Sequence, residues 1–160
     1  MAKLTNKENN IVMEINLIKG ERFDVEIDRN DFEDWIPFTF DFTVEEKEVY
    51  SYTEEHHATF SMEDIKFMIT RFECAIEDKS KGVELKRVGW ALIEMYFNME
   101  LYEPYEENKV GFEIWISVGP LTNGKSHGYS RGFDFWVTTD SLKSFIDGIK
   151  EQFEVLVGQS

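Results

Sequence analysis

The chain has 160 residues, 42% of them hydrophobic, with 14 Phe, 6 Tyr, 4 Trp and a formal net charge of −15. A chain of this length and apolar content buries roughly 70% of its unfolded surface, so whole-chain disorder is excluded and one domain is the expectation. The charge repels phosphate backbones and anionic lipid, which excludes nucleic acid and membrane surfaces as partners and leaves two readings, plain solubility or a basic protein steered in by the field.

Met1 to Asn10 is polar and is expected to be a flexible N-terminus, with the folded domain running over 11–157. It has no apolar stretch of the kind that opens a secretory signal, and no run approaches the ~18 apolar residues of a membrane span. The single cysteine, Cys74, allows no internal disulfide and suits a reducing compartment, so a cytoplasmic location is expected.

Ile11, Met13, Ile15 and Leu17 alternate with other residues and predict a first strand. Phe23, Val25 and Ile27 alternate with Asp24, Glu26 and Asp28, a second strand with one acidic face. A polar loop over 29–34 precedes a third strand carrying Phe38, Phe40, Phe42 and Val44, with Pro37 at its start. Glu45-Glu46-Lys47 turns the chain into a fourth strand, Glu48 to Phe60, with a kink expected near Glu54-Glu55. Ser61, with Asp64 three residues on, forms a capping box that opens a helix. Ile65, Met68, Ile69, Phe72, Ala75 and Ile76 line one side of it, and Gly82 lies just past its end.

The second half repeats the plan. Ala91 to Leu101 reads as one long strand. Val110 to Val118 is the next, a glycine-rich loop spans 119–132, and Phe133, Phe135 and Val137 make the last. Thr138 or Thr139 caps a final helix whose apolar stripe is Leu142, Phe145, Ile146, Ile149 and Phe153. Each half is strands then helix. The class is α+β: a curved antiparallel sheet of about seven strands with two amphipathic helices.

No catalytic or metal motif survives its physical test. Gly119-Pro-Leu-Thr-Asn-Gly124-Lys125-Ser126 has the letters of a phosphate-binding loop. That chemistry needs a helix next, so that its N–H groups point at phosphate. Here two glycines and alternating aromatics follow, which reads as a hairpin loop. If it binds a small ligand or nucleotide, the residues are Gly124, Lys125, Ser126, His127 and Arg131. Asp24-x-Glu26-x-Asp28-x-Asn30 has a calcium-loop rhythm, but Arg29 stands where the sharp turn needs glycine. His56 and His57, read as strand neighbours, point to opposite faces and cannot share an ion. Cys74 lies off the apolar stripe of its helix and has no partner marking it as a nucleophile. No cofactor and no metal are expected.

The acids cluster. Residues 21–55 hold thirteen acids and three bases. Within them Asp31, Glu33, Asp34, Trp35, Glu45, Glu46, Glu48, Tyr50, Tyr52, Glu54 and Glu55 interleave carboxylates with the aromatic types that anchor interfaces. One reading makes them a docking face for a cationic protein. The other makes the aromatics core, with the acids merely outside it.

Strands followed by a helix, acidity, small size and the closing run F-D-F-W-V-T-T-D-S-L-K-S-F-I-D-G-I, with its mid-chain counterpart F-S-M-E-D-I-K-F, together resemble the WapI family of bacterial immunity proteins. The resemblance implies a cytoplasmic, non-enzymatic antitoxin that binds and blocks a toxin domain such as a nuclease, and it supplies no catalytic residues. The rival expectations are a nucleotide-binding protein using the glycine loop and a homo-oligomeric subunit of a larger assembly.

Overall fold

The computed structural model describes residues 2–18, 35–91, 96–106, 108–122 and 128–157. Period-two alternation builds two antiparallel sheets. The first contains β1 (Ala2–Thr5), β2 (Ile11–Leu17), β3 (Trp35–Val44) and β4 (Glu48–Tyr52) in spatial order, and a short β5 (Thr59–Ser61) pairs with the opening of β3. The second is β6 (Val88–Ala91), β7 (Phe97–Tyr102), β8 (Lys109–Ser117) and β9 (Ser130–Thr138), also in order. Each sheet runs into a 19-residue helix, α1 (Met62–Ser80) or α2 (Thr139–Val157). The α+β class with strands-then-helix in each half is therefore the observed one. Among the described residues the strands number nine.

Four expectations are corrected. The N-terminus is not frayed over 2–10. Ala2 and Leu4 are buried in β1, and the Asn6 side chain accepts hydrogen bonds from the N–H groups of Asn10 and Ile11 to close the turn. The single strand expected over Ala91 to Leu101 is two, because Val88 pairs with Leu101 and Ala91 with Asn98, so the chain reverses between β6 and β7. The fourth strand is interrupted by more than a kink: a 3-10 turn, Glu54–His56, separates β4 from β5. His56 and His57 consequently lie on that turn and not on a strand. Thr53 N–H donates to His56 Nδ1 at 3.0 Å, and His57 has φ 52°. The strand expected at Phe23 to Ile27 and the calcium-like stretch Asp24 to Asn30 lie outside the described residues.

The core is an aromatic seam between the two sheets. Phe40 of β3 stacks on Phe97 of β7 at 4.7 Å, and Phe42 meets Phe133 and Phe135 of β9. The helices cross over between the halves. Phe72 of α1 contacts Phe112 of β8 and Phe145 of α2. α2 lies on the first sheet: the Ser141 hydroxyl donates to Thr5 O at 3.0 Å, and Leu17 N–H donates to Gln152 Oε1 at 2.7 Å. Burying these rings is the main force holding the halves together.

Both helix starts follow the sequence. Asp64 N–H donates to Ser61 Oγ at 3.1 Å, and Ser61 N–H donates back to Asp64 Oδ2 at 3.0 Å. Thr138 Oγ1 caps α2 by accepting from Ser141 N–H. At the far end of α1, Gly82 takes φ +71°, a conformation that costs a residue with a Cβ. Just beyond it Glu103 accepts from Lys79 Nζ at 2.5 Å and from Leu85 N–H at 3.0 Å. Burial alone would raise the Glu103 carboxyl. Those two donors reverse that and hold it below its usual value. Because Ser61 is fully buried, Ser61→Ala should cost about 1–2 kcal/mol and lower the melting temperature by a few degrees in a circular-dichroism melt.

Candidate protein-docking surface

The β3–β4 hairpin ends in Glu45 and Glu46, both at positive φ (52° and 60°), with Lys47 N–H donating to Val44 O at 3.0 Å. Two consecutive left-handed residues are what a type I′ turn demands, and Asn-Gly or Gly-Gly would satisfy it at less conformational cost. The turn instead holds two exposed carboxylates at its tip. Glu54 and Glu55 are also exposed, on the 3-10 turn that follows β4, beside Asp41 on a shared shallow depression.

Other members of the predicted cluster go elsewhere. Trp35 is half-buried at the opposite end of β3, about 30 Å from the hairpin turn along the strand. Tyr52 belongs to the core: it is 1% exposed and its hydroxyl donates to Ser117 O at 2.6 Å. Burial, then the neighbouring Tyr96, push its pKa up to about 12. A ring so enclosed cannot offer itself to a partner, so the expectation that Tyr52 is an interface residue is corrected. Glu48 and Tyr50 sit at the edge of the seam between the sheets. Tyr50 donates its hydroxyl hydrogen to Glu48 Oε2 at 2.9 Å and accepts from Arg131 Nε at 3.0 Å, while Arg131 lies 3.7 Å from Glu48. The Tyr50 hydroxyl and then Glu48 raise the Arg131 pKa. Asp31, Glu33 and Asp34 lie outside the described residues.

Arg131 therefore links two sets of residues that sequence kept apart. It was grouped with the glycine loop, yet it is held by the acidic strand. Gly124, Lys125, Ser126 and His127 lie outside the described residues. On either side of them the chain forms a 3-10 turn over Gly119–Thr122 and then β9 from Ser130. Beyond them the described chain continues as a strand and not as the helix that this chemistry requires.

Cys74 is exposed, off the buried stripe as expected. It borders a groove of about 320 Å³ whose lining contains no histidine. Among the described residues no three His, Cys, Asp or Glu side chains are grouped to hold a metal.

Sequence reasoning passed over the outer face of the second sheet. There Arg87 bridges Glu100 and Glu113 (2.9 Å to the latter) and lies 4.7 Å from the centre of the Tyr102 ring. Trp115 Nε1 donates to Glu113 Oε1 at 2.8 Å, and Tyr102 donates its hydroxyl hydrogen to Asp134. The Arg87 guanidinium, then the Trp115 indole, hold the Glu113 carboxyl below its usual value. The alternation Glu113-x-Trp115 was legible as an outward-facing set. The pairing that aligns it with Glu100 and Asp134 was not.

Two antiparallel sheets, each closed by a helix that packs on the other half, define the class. The chain belongs to the immunity protein WapI-like family, matched over residues 3–156. No curated protein matches it. Two solved structures are similar in fold: the plant transcriptional regulator PBF-2 (TM-score 0.50, 9% identity, covering 99% of this chain and 83% of that one) and WHY3 from Arabidopsis thaliana (TM-score 0.49, 7% identity, covering 99% and 89%). At such identity the likeness is one of fold. No helix among the described residues is long and apolar enough to cross a membrane.

Proposed function

We propose that the chain is a non-enzymatic, cytoplasmic antitoxin that neutralises a basic bacterial toxin domain, such as a nuclease, by binding it. The observation that carries the reading is the match to an immunity family across residues 3–156 in a chain of net charge −15. A nuclease site must hold phosphates and is therefore cationic. An acidic partner is steered toward it and can occupy it. The exposed Glu45, Glu46, Glu54 and Glu55 fit such a role. Two of them sit on a turn whose backbone favours other residues, and strain of that kind is found where function fixes the side chain.

The test is growth rescue. Cells expressing the cognate toxin domain should survive when the chain is co-expressed, and the pair should co-elute from a sizing column. Reversing Glu45, Glu46, Glu54 and Glu55 to Lys should lower the association rate at least tenfold at low salt, with the loss shrinking as salt is raised. Failure of rescue, or an association rate that ignores both reversal and salt, removes the reading.

A further inference from the structure

Two glycines shape the outer face of the second sheet. Gly111 lies directly opposite Tyr102, and Gly132 directly opposite Trp115. A Cβ at Gly111 would fall 2.3 Å from the Tyr102 ring, and one at Gly132 would fall 2.7 Å from the Trp115 ring. Each ring thus lies flat on the backbone of its glycine. Trp115 stays 44% exposed, and Asp134 beside it is exposed too.

Arg87 shows what a ring held in this way recognises. Its guanidinium rests over Tyr102 while bonding to two carboxylates. Planar stacking with forked donors is a property of arginine that lysine lacks. A ring and a carboxylate come together again one strand over, toward β9: the exposed Trp115 ring and Asp134, on either side of the Glu113 carboxylate that Arg87 and Trp115 already share. Lys109, the one cation of β8, lies at the far end of the strand, about 20 Å from Trp115, and Arg131, next to Gly132, is turned to Tyr50 and Glu48 instead. The Trp115 end is therefore the acidic end.

We infer that the Trp115–Asp134 end of this sheet is a docking surface for an arginine-bearing segment of a protein partner. The inference rests on the binding reading above but assigns a different surface from the β3–β4 hairpin. Pre-oriented side chains on a rigid sheet lose little freedom on binding, which favours such a site over the flexible carboxylates of a loop.

The experiment uses the whole chain, isotope-labelled, titrated with an oligo-arginine and an oligo-lysine peptide of equal length and followed by amide and indole resonances. The expected result is that oligo-arginine binds at least about fivefold tighter than oligo-lysine and moves the signals of Trp115, Gly132 and Asp134. Trp115→Ala and Asp134→Asn should each weaken that binding about tenfold, with the circular-dichroism spectrum unchanged. Equal affinity for the two peptides would reduce the effect to net charge and overturn the inference. So would shifts confined to Glu45, Glu46, Glu54 and Glu55, or shifts at Trp115 produced by a single-stranded oligonucleotide and not by peptide. Toxin rescue separates the two readings. Rescue with peptide shifts only at the hairpin sinks this surface and leaves the antitoxin standing. Shifts at Trp115 without rescue do the reverse.

Discussion

Phe72→Ala should destabilise the protein by about 3–5 kcal/mol, the range for removing a fully buried ring from a core that cannot collapse around the gap. Phe72 is 0% exposed at the middle of α1, with Phe112 of β8 at 6.2 Å and Phe145 of α2 at 5.7 Å between ring centres. Three elements drawn from both halves meet on this one side chain, so none can move in without leaving another. A melting temperature lower by about 6–20 °C is expected, since each kcal/mol is worth about 2–4 °C at this size. Phe67, on the same helix but 43% exposed with Arg71 stacked over it, is the control. Phe67→Ala should cost roughly 0.5–1 kcal/mol, the loss of an exposed cation–π contact. Urea unfolding of the two variants checks the pair. Equal losses would mean that the helices do not share a core.

The contrast between Phe72 and Phe67 was legible before any coordinates, because helical periodicity records which face is apolar. The stripe Ile65, Met68, Phe72 and Ala75 is buried as the spacing predicts, and the caps at Ser61 and Thr138 are where short polar residues precede an apolar run. Strand pairing was less legible. β6 and β7 read as one strand because no Gly, Pro, Asn or Asp marks the reversal between them, and two alternating strands in series look like one long one. β1 was missed because two buried side chains, Ala2 and Leu4, are too few to show a period. The candidate surface was read least well, for a geometric reason. Closeness in sequence becomes distance along an extended strand, which separates Trp35 from Glu45. Alternation then sends Tyr52 inward, while Glu54 and Glu55 stay exposed on the 3-10 turn that follows.

The Glu48–Tyr50–Arg131 link shows the same limit from the other side. Arg131 is 81 residues from Tyr50, and no local pattern announces that contact. It forms because Phe133 of β9 packs on Phe42 and Tyr50, which fixes the edge of one sheet against the other. Apolar packing sets the geometry, and the polar contact follows from it. Side-chain chemistry read along the chain therefore assigned Arg131 to a ligand loop, while the fold uses it to join the sheets.

Alkaline pH should unfold this protein through Tyr52 more than through an average tyrosine. Its folded-state pKa is pushed up to about 12, above the value of about 10 expected once unfolded. The folded state thus keeps a proton that the unfolded chain gives up. This contribution is fully present below about pH 10 and is lost as pH rises through about 12, a decline of roughly 2–3 kcal/mol. Tyr52→Phe should behave in the opposite way in the two regimes. Near neutrality it loses the bond to Ser117 O and about 1 kcal/mol of stability. Above about pH 10 it has no phenol to ionise at this buried site, so its stability falls less steeply and the two curves converge. Tyr102, also pushed up to about 12 by burial and then by its bond to Asp134, leaves a residual slope in the variant. Urea unfolding from about pH 8 to about pH 12 separates the two tyrosines. If Tyr52→Phe runs parallel to the unmodified chain across that range, the hydroxyl at position 52 is exchanging with solvent and the seam between the sheets is looser than its packing implies.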